Sequence, residues 1–65
     1  AIKSLVMLID RFKGVDNKIL KMRYIDGMTL KDISLELRYS YSYIMSRHTQ
    51  IIKVIKMTED VLQKD

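Results

Sequence analysis

The chain has 65 residues, 48% of them apolar, with twelve Lys and Arg against eight Asp and Glu for a net charge of +4. It carries no cysteine, one histidine and no proline, which excludes a disulfide framework, a structural zinc site and a turn-rich β fold, and leaves a small single helical domain spanning 1–65. The basic excess suits an anionic partner such as nucleic acid, and equally an ordinary mixed-charge surface. No apolar run approaches the roughly 18 residues of a membrane span, and no secretory pattern is present, so a cytoplasmic protein with no membrane partner is expected. The chain opens on Ala1-Ile2, as a piece of a longer protein would.

The first segment, "IKSLVMLIDRFKG", places Ile2, Leu5, Ile9 and Phe12 at helical spacing and predicts a helix over about 2–13, with Gly14 as its stop. A second helix, about 16–25, starts at Asp16, whose carboxylate is expected to cap the first turn. Tyr24 is expected in the core, and Gly27 provides the positive φ of a C-cap. The third helix, about 29–38, has the strongest start signal: Thr29 as N-cap, Asp32 three residues on, and Met28 and Ile33 placed as a hydrophobic staple.

The stretch "RYSYSYI" over 38–44 alternates like a strand, but nothing downstream supplies a partner strand. Ser40 is instead read as the cap of a fourth helix over about 41–63, whose apolar stripe is Ile44, His48, Ile51, Ile55, Thr58 and Leu62. The final "QKD" is expected to fray. The expected class is all-α, a four-helix helix-turn-helix domain with a long C-terminal recognition helix. Ser34 supplies the small residue where the third and fourth helices touch. Arg38 occupies the turn position that glycine usually takes, at a cost of roughly 1 kcal/mol. Tyr39 is expected to wedge between the two helices, and His48 to be a buried or half-buried structural residue. Arg47, at a later core position, has two outlets, snorkelling along the flank or reaching a phosphate.

The segment "ILKMRYIDGMTLKDISLELRYSYSYIMSRHTQIIKVI" resembles region 4 of the sigma-70-type bacterial RNA polymerase sigma factors, and the related small regulators of phages of Gram-positive bacteria. The resemblance rests on Arg23-Tyr24-x-x-Gly27, Thr29-Leu30-x-x-Ile33, the Tyr39-Ser40 turn and His48. It implies that the fourth helix enters the major groove of duplex DNA while earlier helices hold the backbone. The base-facing positions then fall on Tyr41, Ser42, Met45 and Ser46, where sigma factors often carry Arg, Glu or Gln. These are weak readers: the hydroxyls suit phosphates, and the Met and Tyr side chains suit thymine methyls. Thr49, Lys53 and Lys56 extend the polar strip, which is otherwise an ordinary solvated face. Arg38, Ser40 and Arg47 are expected near the groove, Thr29 and Lys31 at a helix N-terminus suited to phosphate, and Arg23 on the backbone or else in a salt bridge with Asp26 or Asp32.

No catalytic constellation stands out, so no enzyme and no cofactor is expected. The fourth helix, roughly 34 Å long, exceeds what a small trihelical core covers. The first helix, itself rich in apolar residues, is expected to cover some of this surface, and any remainder, along the stripe at heptad spacing, to meet a second copy or a partner. Contact with RNA polymerase is the regulatory step that the resemblance implies. A protein-interaction module without DNA contact, or a plain oligomerisation bundle, stand as the alternatives.

Overall fold

The computed structural model describes the backbone over residues 2–62 and the surroundings of side chains 4–57. It consists of α1 (Ile2–Asp10), α2 (Gly14–Tyr24), α3 (Leu30–Leu37) and α4 (Tyr41–Leu62), with no strand among the described residues. The all-α class read from the sequence is therefore the class observed. Residue 63 and the frayed "QKD" expected there lie outside the described residues, as do the side chains of Ile2, Thr58 and Leu62.

The helix ends follow local chemistry. At Asp10 the α-helical pattern of α1 gives way, three residues early, to shorter-range bonds, Arg11 N–H to the Leu8 carbonyl (3.1 Å) and Phe12 N–H to the Ile9 carbonyl (3.0 Å), the usual tightening of a last turn. Lys13 is extended, and Gly14 takes φ +63° to open α2. Asp16 is consequently not the cap of α2. It lies within the first turn, and its carboxylate is engaged by α4 instead. At the far end Gly27 adopts φ +73°, between two closing bonds, Asp26 N–H to the Lys21 carbonyl (3.1 Å) and Met28 N–H to the Met22 carbonyl (2.9 Å).

Thr29 caps α3 as its sequence position implied, its Oγ1 accepting the Asp32 N–H at 3.1 Å. Arg38 ends the helix in the left-handed region, φ 63° and ψ 36°. Its N–H and that of Tyr39 both reach the Ser34 carbonyl, the bond pattern of a glycine-ended helix built around an arginine. Ser40 Oγ then accepts the Tyr43 N–H at 3.1 Å, so "RYSYSYI" is a turn and a helix start.

Two apolar clusters hold the helices together. Ile9, Leu20 and Ile51 join α1, α2 and α4, with Leu5, Phe12 and Ile55 around them. Ile19, Ile33 and Ile44 join α2, α3 and α4, with Val15, Met22, Met28, Leu30 and Leu37 around them. Consecutive residues lie about 100° apart around a helix, so Ile19 and Leu20 direct α2 into both clusters at once. Ser34 is buried and donates its hydroxyl to the Lys31 carbonyl at 2.6 Å, which satisfies the polar atom that its small size brings inside.

Three expectations are corrected. Tyr24 is 43% exposed rather than core, because its hydroxyl turns outward to His48. Tyr39 is 46% exposed and does not wedge between helices; buried Ile33, Ser34 and Ile44 fill that space, and the Tyr39 ring packs on Tyr43 with centroids 4.7 Å apart. The stripe of α4 is taken up inside the chain as far as it is described: Ile44 is buried between α2 and α3, Ile51 is buried, His48 and Ile55 are half-buried, and Leu5 and Ile9 of α1 join the cluster that holds Ile51 and Ile55. Ile44 and Ile51 are thereby unavailable to a coiled-coil seam.

Candidate nucleic-acid interface

With Ile44 and Ile51 marking the inner side of α4, helical geometry puts Ser42, Met45, Ser46, Thr49 and Lys53 on the outer half. All five are exposed, and so is Tyr41 at the first helical position. The Thr49 hydroxyl donates back to the Met45 carbonyl at 3.0 Å. Lys56 continues the exposed strip.

The preceding elements add further groups. Arg38 is exposed in the turn, its left-handed backbone leading directly into Tyr39 and Ser40. Ser40 and Thr29 use their oxygens to accept backbone N–H groups, which leaves each hydroxyl proton available to a further acceptor. Lys31 is exposed in the first turn of α3. Arg23 pairs with neither Asp26 nor Asp32. Its NH1 donates to the Met28 carbonyl at 3.2 Å, and its guanidinium lies 6.0 Å from the centre of the Tyr24 ring.

Arg47 differs from the rest. Its Nε donates to Asp16 Oδ1 at 3.0 Å and its NH2 to Oδ2 at 2.6 Å, a two-pronged pairing that joins α4 to the start of α2. Asp16 raises the Arg47 pKa further above its ordinary value, first through this hydrogen bond and then through its charge. The pairing with Asp16 is a third outlet, beyond the two expected from the sequence.

The next residue forms a second tie. His48 Nε2 lies 2.8 Å from the Tyr24 hydroxyl, with the two rings stacked at 5.9 Å. Asp16 and Tyr24 stand eight residues apart on α2, about 12 Å along its axis. The two polar ties therefore bracket the place where α4 crosses α2. Sequence reasoning missed both partners, since separations of 31 and 24 residues leave no periodic signal. The same holds for Asn17, whose Nδ2 donates to the Ile9 carbonyl at 3.1 Å and ties α1 to α2.

Partial burial lowers the His48 pKa below the ordinary 6.5, and the positive charge of Arg23 adds to the shift. The fold thus favours the neutral imidazole, while the unfolded chain takes up a proton more readily. Stability is full above the unfolded value and falls as pH drops through it toward the folded value. We expect the urea midpoint to fall between about pH 7.5 and about pH 5.5, and a His48→Gln variant to lose that slope. No other side-chain type present has an ordinary pKa in this window, so an unchanged slope in the variant would remove His48 as its source.

No group of three or more acidic or His side chains able to hold a metal ion occurs among the described residues, nor is any helix there long and apolar enough to cross a membrane. Comparison with protein-family models, with curated proteins and with solved structures gives no match for this chain.

Proposed function

We propose that the chain is the DNA-binding domain of a phage or bacterial transcription regulator, a helix-turn-helix whose α4 enters the major groove with its first turns. The observation that carries this reading is the continuous exposed face of Tyr41, Ser42, Met45, Ser46, Thr49 and Lys53, set directly behind an exposed arginine in a capped turn. In this reading Arg38, Lys31, Arg23 and Lys53 neutralise phosphates, and the hydroxyls of Ser40, Ser42, Ser46 and Thr29 donate to phosphate oxygens. Arg47 serves the fold by holding α4 against α2. The regulatory step that follows is contact with RNA polymerase, which the sequence resemblance suggests.

A second reading, a protein-interaction module on the same scaffold, is favoured by Leu35 and Met57, large apolar side chains that are 70% and 67% exposed on α3 and α4. The two readings separate in one titration. Fluorescence anisotropy with a random-sequence duplex across a salt series is expected to show affinity falling steeply with salt. Four cations on phosphates give a log–log slope of about −3.6, at about −0.9 per phosphate. Absence of binding at low salt would leave the interaction module.

A further inference from the structure

We infer that α4 discriminates DNA sequences through thymine methyl groups rather than through the polar edges of guanine or adenine, with Met45, Tyr41 and the γ-methyl of Thr49 as the specificity-determining contacts. The inference rests on the DNA-binding reading above and names what that surface recognises.

Direct readout in the major groove depends mainly on forked or planar polar side chains: Arg or Lys on guanine, Asn or Gln on adenine, Asp or Glu on cytosine. Over 41–49 the chain contains no Lys, Asn, Gln, Asp or Glu. Its two remaining candidates are Arg47 and His48, and both are held by α2. The Arg47 guanidinium gives two of its donors to the Asp16 carboxylate, and the His48 ring is half-buried against the Tyr24 hydroxyl. The two strongest candidates over 41–49 for reading a polar base edge are therefore engaged by α2, with the Arg47 side chain 38% exposed.

Beside the serine hydroxyls, what stays outward in these turns is an apolar row. Tyr41 is 48% and Met45 45% exposed, and Thr49 follows Met45 by the same interval of four, so the three form one row along the helix surface. The Thr49 hydroxyl is engaged by the Met45 carbonyl, so its γ-methyl is the group left for contact on this exposed residue. From Tyr41 to Thr49 the row runs about 12 Å along the axis, the length of three to four base-pair steps of about 3.4 Å. Ser42 and Ser46 lie beside this row and have short hydroxyl arms without a fork. A polarisable thioether, an aromatic ring and a methyl facing the groove are matched by the C5-methyl of thymine, the one apolar feature that a base pair presents there.

The test begins by selecting bound duplexes from a random pool. Each thymine of the enriched site is then replaced by deoxyuridine, which removes the methyl and leaves the hydrogen-bonding edge intact. Thymine enrichment is expected across three or four adjacent base pairs, with affinity about fourfold weaker for each contacted methyl removed, equal to about 0.8 kcal/mol per buried carbon. A Met45→Ala variant is expected to show no thymine–deoxyuridine difference at one of those positions, while its salt dependence stays that of the parent. Equal affinity for the deoxyuridine duplex, or an enriched site whose essential bases are guanines, would overturn the inference. So would salt-dependent binding without any enrichment, which leaves the DNA-binding reading standing. Failure to bind any duplex at low salt removes that reading and this one together.

Discussion

An Ile44→Ala variant is expected to lose about 2–5 kcal/mol of stability, the range for deleting a large aliphatic side chain from a packed site. Ile44 has 0% of its surface exposed and packs with Ile19 and Ile33, so the substitution opens a cavity bounded by α2, α3 and α4 at once. A chain of this length holds only about 3–10 kcal/mol in total, at roughly 0.05–0.15 kcal/mol per residue. Much of the population is therefore expected to unfold at ambient temperature, read as lost helical circular dichroism and a urea midpoint shifted toward zero. The adjacent Met45→Ala is expected to be nearly silent in the same experiment. Met45 lies outward, and alanine is the better helix former. Equal effects at the two positions, or a loss under about 1 kcal/mol at Ile44, would mean that α4 does not pack through this face.

The sequence made some of these features legible and hid others, and the division follows the range of the interaction. Thr29, Gly27 and Ser40 act within three or four residues of themselves, through a side-chain cap or a φ angle that few residues adopt. Their places could be read directly, and "RYSYSYI" resolved once Ser40 was taken as a cap. Asp16 shows where such reasoning fails: its composition fits a cap, but Gly14 had already opened the helix and the carboxylate found Arg47, 31 residues on. Tyr24 fails in the same way, because its hydrophobic ring predicts burial while its hydroxyl is drawn outward to His48. The α4 stripe was seen correctly as apolar. That α1 covers part of it was expected from its apolar content, but a sequence does not say which residues meet, here Leu5 and Ile9 in the cluster with Ile51 and Ile55. For the proposed interface, exposure of the polar strip followed from periodicity, whereas the withdrawal of Arg47 from it depends wholly on the tertiary pairing.

Arg38 is where stability and the proposed function pull in opposite directions. Its backbone sits at φ 63° and ψ 36°, a conformation that costs a side-chain-bearing residue about 1–2 kcal/mol and glycine almost nothing. An Arg38→Gly variant is therefore expected to be more stable by about 1 kcal/mol after allowance for the greater entropy of glycine in the unfolded chain, seen as a higher urea midpoint. The same variant removes a cation beside the start of α4. A lost charged hydrogen bond to phosphate is commonly worth about 1.5 kcal/mol or more, so duplex affinity is expected to fall about tenfold, with the log–log salt slope less negative by about 0.9. Arg38→Glu separates the two effects. It keeps the left-handed strain, so stability changes little, while reversing the charge lowers affinity further than the glycine variant does. An arginine that the fold merely tolerates would give the gain in stability without the loss in binding. An arginine retained for DNA gives both, because a turn that glycine would make at lower cost has kept a side chain that only a ligand beyond the domain can use.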